Sequence, residues 1–262
     1  SGNGNDATQS TASNQPTFKA LDSSTTSVSF DGSNDYMDVG NYNAYNFGSG
    51  GTDSAFSVSA WIKMTDATDF VVAAKDDNSS NRQYTIRFLG DKMHFYLLGG
   101  GYIGRLYNTA VTSDEGVWIH VCFTYDGSKS ETGMKIYRNG TRVDDTSYSG
   151  GSYVGMSATS ASFEIGKQNI YYSGGLMDEV AIFNSLLSAS EVSSLAASRG
   201  AHIVNDLSLS PVAYYRMGED DNLTDGQTGI SQITDASGNG NHATQSTAAN
   251  QPTASVDPVI YV

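Results

Sequence analysis

Short apolar runs, separated by turn-forming residues, follow one another along most of this chain. Phe56–Met64 alternates apolar and polar side chains, and residues 118–125 form a nearly continuous apolar run. Turn signals recur at the spacing of about 8–12 residues that is typical of an all-β sandwich or barrel. Trp61 and Trp118 lie inside these runs and are expected in the core. Cys122 is expected to be a buried structural cysteine, because it lies in an apolar strand.

Two dipeptides predict tight hairpins. Asn139-Gly140 joins two alternating runs, and both residue types tolerate the positive φ angles that a two-residue hairpin loop needs. Gly90-Asp91 is a weaker signal of the same kind. Both dipeptides therefore favour antiparallel pairing of strands that are consecutive in the sequence.

One short helix interrupts the strand pattern near residues 188–198. Ser188 and Glu191 have the spacing of a capping box, and Val192 and Leu195 follow at helical spacing. The sequence thus predicts an all-β domain with a single short helix.

The first seventeen residues recur near the end of the chain. Residues 1–17 reappear as residues 237–253, with His242 in place of Asp6 and Ala249 in place of Ser13. We divide the chain into an N-terminal repeat segment (1–25), a β domain (26–206) and a C-terminal segment (207–262).

The C-terminal segment contains a predicted strand, residues 212–217, ahead of the second copy of the repeat. Three arrangements are open. The segment could begin a further tandem domain, fold back onto the β domain, or donate its strand to a neighbouring subunit. An unpaired sheet edge tends to recruit another strand, which keeps the third arrangement in view.

Composition narrows the possible functions. The chain has 262 residues, 38% hydrophobic and 16% charged, with a net charge of −14. Such an acidic surface repels phosphates, so we expect no nucleic-acid partner. No apolar run approaches the roughly 18 residues of a transmembrane helix, so we expect no membrane insertion. A single cysteine excludes an intramolecular disulfide framework.

Six motifs in a fixed order resemble one family. They are Phe30-Asp31-Gly32-Ser33-Asn34-Asp35-Tyr36, Phe56–Met64, residues 118–127, Tyr137-Arg138-Asn139-Gly140, Gly166-Lys167, and residues 175–188. Together they resemble the laminin-G-like domains of the concanavalin A-like lectin/glucanase superfamily, of the kind found in marine phage and bacterial surface proteins. The resemblance implies a two-sheet antiparallel jelly-roll sandwich, here with one short helix and a C-terminal extension.

A calcium site is the best metal hypothesis. Asp31, Asn34 and Asp35 crowd one turn, and hard carboxylate and amide oxygens are what Ca²⁺ binds. The resemblance implies that Asp178 and Glu179 lie on a strand near that turn, so all five residues are predicted metal ligands. The alternative is that Asp31 and Asp35 only stabilise the turn, and that Glu179 packs or pairs with a base.

Carbohydrate binding is the commonest activity of the family, and it needs aromatic side chains with polar groups beside them. Tyrosines in or beside Gly/Ser-rich loops are the candidates, and the predicted ligand-binding residues are Tyr96, Tyr102, Tyr107, Tyr171 and Tyr172. Tyrosine is also common at protein interfaces, so these residues do not discriminate between the two roles.

Catalysis is disfavoured by the sequence. The ExDxxE-like strand of the superfamily's glucanases is missing, and Glu164 stands alone on its strand. We predict a non-catalytic adhesion module on an extracellular, cell or virion surface, with a glycan or cell-surface polysaccharide as partner. The alternative is a structural subunit of a phage decoration, fibre or surface filament that self-assembles through its terminal segments. A glycoside hydrolase is the minor alternative.

Overall fold

Antiparallel strand pairs form the framework of the described part of the chain. The computed structural model describes residues 26–199 and 203–256, so the first copy of the repeat lies outside the described residues. The strands, in chain order, are β1 (Thr26–Asp31), β2 (Met37–Gly40), β3 (Phe56–Met64), β4 (Asp69–Asp76), β5 (Arg82–Leu89), β6 (Lys92–Gly99), β7 (Gly101–Tyr107), β8 (Ile119–Tyr125), β9 (Met134–Arg138), β10 (Thr141–Arg142), β11 (Thr146–Gly150), β12 (Phe163–Ile165), β13 (Lys167–Gln168), β14 (Tyr171–Tyr172), β15 (Gly174–Phe183), β16 (Ala213–Tyr215), β17 (Gln232–Ile233), β18 (Ala243–Thr244) and β19 (Thr253–Val256). The helices are α1 (Ala189–Ala196) and α2 (Ile203–Asp206).

Two large sheets form the sandwich. The eight-stranded sheet has the order β10-β9-β8-β3-β15-β1-β19, with β16 also paired to β15. The nine-stranded sheet has the order β11-β7-β6-β5-β4-β12-β2-β18-β17. The predicted jelly-roll sandwich is therefore confirmed, and β13 and β14 form a separate small hairpin.

Alternation along the strands builds the core between the sheets. Phe56, Val58, Ala60 and Ile62 of β3 are fully buried, and the ring of Phe56 stacks on that of Phe47 at a centroid distance of 4.4 Å. Because side chains alternate across a strand, the polar residues of β3 point to the other side. Apolar positions two residues apart thus define the inner face of this sheet.

A second apolar layer covers the outer face of the eight-stranded sheet. Cys122 and Phe183 are buried there against Val192 and Leu195 of α1. The predicted helix is confirmed, and Ser188 caps it in the predicted capping box. Cys122 is buried, as its apolar strand predicted.

The core assignment of the two tryptophans was wrong. Trp61 and Trp118 are half-buried and lie outside the inter-sheet core. The guanidinium of Arg199 lies 3.6 Å from the ring centroid of Trp118 and 5.9 Å from that of Trp61. The reason is that the segment after α1 covers the outer side of β3, so this strand is buried on both faces.

Both predicted hairpins are confirmed. Asn139 and Gly140 have φ angles of 48° and 77° between β9 and β10, and Gly90 and Asp91 have 56° and 64° between β5 and β6. These are the left-handed conformations that two-residue hairpin loops require.

The C-terminal segment folds back onto the same chain. Strand β16 pairs with β15 through Val180–Ile182, β18 pairs with β2, and β19 lies antiparallel to β1. Of the three arrangements left open by the sequence, the structure has the fold-back one. No helix among the described residues is long and apolar enough to span a bilayer.

Candidate functional site

A group of tyrosines lies on the outer face of the nine-stranded sheet. Strand register places Tyr148, Gly104, Tyr96 and Thr85 directly opposite one another on β11, β7, β6 and β5. Side chains opposite one another in adjacent strands share a face, so these four point away from the core. We call this surface, with Tyr102 and the β13–β14 hairpin, the tyrosine face.

Two glycines leave room for the tyrosine rings to pack closely against this sheet. A Cβ atom on Gly104 would lie 2.4 Å from the ring of Tyr148, and one on Gly150 would lie 2.6 Å from the ring of Tyr102. The two rings approach each other to a centroid distance of 6.2 Å. Tyr102 remains 41% exposed, so its ring is accessible to a ligand.

A hydrogen-bond network centred on Gln168 fixes the middle of the face. Oε1 of Gln168 accepts from Nη1 of Arg87 at 2.8 Å and from the hydroxyl of Tyr96 at 3.4 Å, while its amide donates to Asp76 at 2.7 Å. The guanidinium of Arg87 lies 4.7 Å from the ring centroid of Tyr171. The polar groups are therefore held in place by one another.

The β13–β14 hairpin extends this arrangement along the sheet. Nζ of Lys167 lies 3.9 Å from the ring centroid of Tyr36 and donates to Glu164 at 2.7 Å. The rings of Tyr36 and Tyr172 are 6.4 Å apart. Aromatic rings and charged groups thus alternate along this side of the face.

Two open clefts flank an ion pair on the tyrosine face. One has a volume of about 360 Å³ and is lined by Arg82, the backbone of residues 99–101 and Tyr102. The other has a volume of about 340 Å³ and is lined by residues that include Asp76 and Lys167. Nε of Arg82 lies 2.7 Å from Oδ1 of Asp76, so this pair stands between the clefts.

The structure brings together four of the five predicted tyrosines. Tyr96 donates to Gln168, and the guanidinium of Arg87 lies over the ring of Tyr171. Tyr102 packs against Tyr148 on the same face, and Tyr172 follows Tyr171 on the hairpin. Tyr107 instead packs against the inter-sheet core, because it faces Met93 across the β6–β7 pair. Whether these residues bind a ligand stays a prediction.

Sequence reasoning missed the polar half of this face. Arg87, Gln168 and Asp76 are at least 93% buried, yet they carry the network that holds the tyrosines. The signal available was Arg87, a charged residue between the apolar Ile86 and Phe88 in a predicted strand. A buried arginine needs partners, which is a sign of a specific site.

The first part of the predicted calcium site is a turn. Oδ1 of Asp31 accepts from the backbone amides of Ser33, Asn34 and Asp35, and Oδ2 of Asp35 accepts from the amide of Asp31. Burial, together with the charge of Asp31, raises the pKa of Asp35 to about 6. The turn-stabilising alternative describes these contacts.

The second part lies on β15 at a bulge, where Glu179 has a φ of +51°. Asp178 Oδ2 lies 3.1 Å from Nε of Arg199, and Glu179 Oε1 lies 3.7 Å from Nε of Arg216. The hydroxyl of Tyr214 donates to Glu179 as well. Burial raises the pKa of both carboxyl groups, to about 6 for Asp178.

The two parts of the predicted metal site are apart. Asp31 lies opposite Gly174 of β15, so Asp178 is four residues further along that strand, about 13 Å away at about 3.3 Å per residue. Each carboxylate of the second part already faces an arginine. Among the described residues, Asp178 and Glu179 approach Glu219 instead, with carboxylate oxygens within 4.8 Å of one another. The five residues do not form one site, and calcium binding stays a prediction.

Comparisons with known proteins agree on the fold. A laminin-G family model, described as the concanavalin A-like lectin/glucanases superfamily, matches residues 31–193. No curated protein matches the chain in sequence. A proposed carbohydrate-binding protein from Bacteroides ovatus ATCC 8483 superposes with a TM-score of 0.62 at 19% identity over 91% of this chain. The chain spans only 62% of the length of that protein.

Two further structures are similar over a smaller part of the chain. Domain 4 of AbnA, a GH43 extracellular arabinanase of Geobacillus stearothermophilus solved with arabinotriose, has a TM-score of 0.42 at 21% identity, covering 56% of this chain and 68% of its own. Domains LG4-5 of the mouse laminin alpha1 chain have a TM-score of 0.42 at 14% identity, covering 64% and 43%.

Proposed function

The chain belongs to the concanavalin A-like lectin/glucanases superfamily, and on that premise we propose that it is a non-catalytic glycan-binding module whose sugar-binding surface is the tyrosine face. The observation that carries the proposal is a pair of tyrosine rings packed over glycines, of which Tyr102 lines an open cleft. Tyr102 and Tyr148 are supported from below by Gly150 and Gly104. A flat, amphipathic tyrosine ring offers an apolar surface for the C–H face of a sugar ring.

The polar groups around the rings support the same proposal. Sugar hydroxyls need donors and acceptors that are already oriented, and Arg82, Asp76 and Lys167 line the two clefts. Both clefts have volumes within the range of about 300–1,000 Å³ that is usual for ligand pockets. Because they stand on either side of one ion pair, an oligosaccharide fits the arrangement better than a single sugar.

The similarity of the fold to that of another protein supports the proposal of glycan binding. The Bacteroides ovatus protein, which superposes over 91% of this chain, is described as a proposed carbohydrate-binding protein. Laminin-G-like folds are typical of extracellular domains, so we place the module outside the cell, as part of an adhesive cell or virion surface.

The carboxylates of Asp76 and Glu164, which line one of the clefts, already accept hydrogen bonds from protein groups, and this supports a non-catalytic role. Retaining glycosidases need two carboxyl groups about 5–5.5 Å apart, one of them able to donate a proton. Asp76 accepts from Arg82, Thr85 and Gln168, and Glu164 accepts from Lys167. Release of new reducing ends from a bound oligosaccharide would contradict this part of the proposal.

Glycan binding can be tested with two variants of matched exposure. The chain is screened on an array of neutral and acidic oligosaccharides, and the strongest ligand is titrated by calorimetry. Tyr102→Ala is expected to weaken binding about tenfold, equivalent to about 1.4 kcal/mol. Leu186, equally 41% exposed but in the loop between β15 and α1, away from the tyrosine face, supplies the control Leu186→Ala. Equal losses in both variants, or no ligand on the array, would refute the proposal.

A further inference from the structure

The second copy of the repeat occupies a defined surface along β1 and β2. Thr244 lies opposite Asp38 of β2, and Thr253 lies opposite Ser29 of β1. The backbone of Tyr36 both donates to the carbonyl of residue 250 and accepts from the side-chain amide of Gln245, at 3.4 and 3.1 Å. We call this the repeat-docking surface.

The beginning of the second copy docks just as specifically. The side-chain amides of Asn239 and Asn241 donate to the carbonyl of Val212 at 3.2 and 3.0 Å. Oδ2 of Asp235 accepts from the backbone amide of Asn241 at 2.9 Å. Ala243 is buried, and a larger side chain would not fit there.

The residues that make these contacts are the same in both copies. They correspond, in order, to Asn3, Asn5, Ala7, Thr8, Gln9, Asn14 and Thr17 of the first copy. Of the two positions that differ, Ala249 is exposed. His242 is also exposed, but its Nδ1 accepts from the backbone amide of Asp235 at 3.1 Å, an amide that the carboxylate of an aspartate can also satisfy. The surface that binds residues 237–253 through these seven side chains therefore offers the same hydrogen-bond partners to a segment with the sequence of the first copy.

The connection to β1 allows the first copy to reach the surface. Thr17 would stand opposite Ser29, about 11 Å from Thr26, since three residues of a strand rise about 10 Å and paired strands lie about 5 Å apart. Residues 18–25 join Thr17 to Thr26. Nine extended steps span up to about 30 Å, so the connection is long enough.

We propose that the repeat-docking surface is an exchangeable site with two occupants within one chain, and that residues 1–17 compete with residues 237–253 for it. A chain that holds the first copy there presents the second copy as a free segment, which fits the same surface on another copy of this chain. The duplicated segment thus provides a route to head-to-tail association that is independent of glycan binding.

The structure also explains why the second copy is the occupant seen. Beyond the repeat, Ala254 is buried against the core, where the first copy has the much larger Phe18. Overpacking of this kind costs about 1–3 kcal/mol. The second copy is therefore favoured, and the first copy is the minor occupant.

Cysteine trapping in the full chain tests the proposal. Two double variants are made. One combines Asp38→Cys with Thr244→Cys, and the other combines Asp38→Cys with Thr8→Cys, the equivalent position of the first copy. Residues directly opposite in an antiparallel pair lie within disulfide reach. Under mild oxidation the Thr244→Cys pair is expected to form quickly, and the Thr8→Cys pair more slowly but to completion. Cys122 is buried and does not interfere.

A register control separates docking from chance collision. Asp38→Cys with Ala12→Cys places the second thiol on the same tether but four residues away from the docked position. Intramolecular trapping at Thr8→Cys at least about tenfold faster than at Ala12→Cys supports the proposal. Equal rates, or only cross-links between chains, overturn it.

Hydrogen exchange on the trapped chain gives a second readout. With Thr8→Cys locked to Asp38→Cys, the amide of Tyr36 is expected to stay protected, because Asn14 replaces Asn250 as its partner. The amides of residues 253–256 are expected to lose protection. Retained protection there would show that the second copy had not left the surface, and would overturn the exchange.

Discussion

The strongest stability prediction concerns Arg216, which joins the C-terminal segment to β15. Its side chain is 4% exposed and lies 3.7 Å from Oε1 of Glu179, itself 5% exposed, and 3.7 Å from Asp220. Arg216→Met removes the positive charge and keeps an unbranched apolar side chain. The buried carboxylate of Glu179 would then lack its arginine. Breaking a buried ion pair in this way costs about 3–5 kcal/mol.

Urea unfolding followed by far-UV circular dichroism measures this loss. A thermal melt gives a second readout. At about 2–4 °C per kcal/mol for a chain near this size, the melting temperature is expected to fall by about 6–20 °C. Glu179→Gln in the same chain removes the uncompensated charge and still accepts the Tyr214 hydroxyl. The double variant is therefore expected to recover at least half of the loss.

The outcome that refutes this reasoning is simple. If Arg216→Met changes the unfolding free energy by less than about 1 kcal/mol, the guanidinium is solvated, and residues 207–256 are not docked on β15. If the double variant is no better than Arg216→Met, the loss comes from packing and not from the ion pair.

Three further predictions follow from buried contacts. Gly104→Ala is expected to push the ring of Tyr148 off the sheet and weaken glycan binding several-fold by calorimetry, with little change in melting temperature because only a ring must move. Burial lowers the pKa of Lys75 to about 8 from 10.5, so the folded state loses this proton at a lower pH than the unfolded chain. Stability therefore rises with pH between about 8 and 10. The melting temperature of the wild type, relative to that of Lys75→Met, should rise from about pH 7.5 to about pH 9.5. Asp53→Ala removes the acceptor of two tyrosine hydroxyls and one amide at 2.6–2.7 Å, and should cost about 3 kcal/mol in urea unfolding.

Local signals in the sequence were sufficient for the fold class. The Asn139-Gly140 loop and the Ser188 capping box each require one backbone conformation, and both formed where predicted. Period-two patterns then decide which side chains face the core. The pattern misled at Trp61 because a strand covered on both faces carries apolar side chains on both, and alternation no longer distinguishes inside from outside.

The candidate site could be predicted only in part, because register is not a local property. Tyr96 and Tyr102 could be named from the loops beside them. However, Gln168, which accepts from Tyr96, and its partner Arg87 come from β13 and β5, 81 residues apart in the sequence. The calcium prediction failed to bring its residues together for the same reason. It used the correct neighbours, β1 and β15, but Asp178 pairs four residues beyond the turn of Asp31. A one-residue change in register moves every side chain of a strand to the other face, so contacts on a sheet surface need the full pairing.

The repeat is the opposite case, because the sequence contains two copies of one segment and the structure shows the docking of the second copy. The two segments have fifteen of seventeen residues in common, among them the amides, the alanine and the threonines through which the second copy contacts the surface. Their free energies of docking can differ through the neighbours, Phe18 against Ala254, through the exchange of His242 for Asp6 beside the amide of Asp235, and through the tether that links each copy to the domain. A difference of about 1–3 kcal/mol from overpacking corresponds to a minor population between roughly one in six and one in 160. Such a population is small enough for one occupant to dominate the structure and large enough for a thiol trap to accumulate the other.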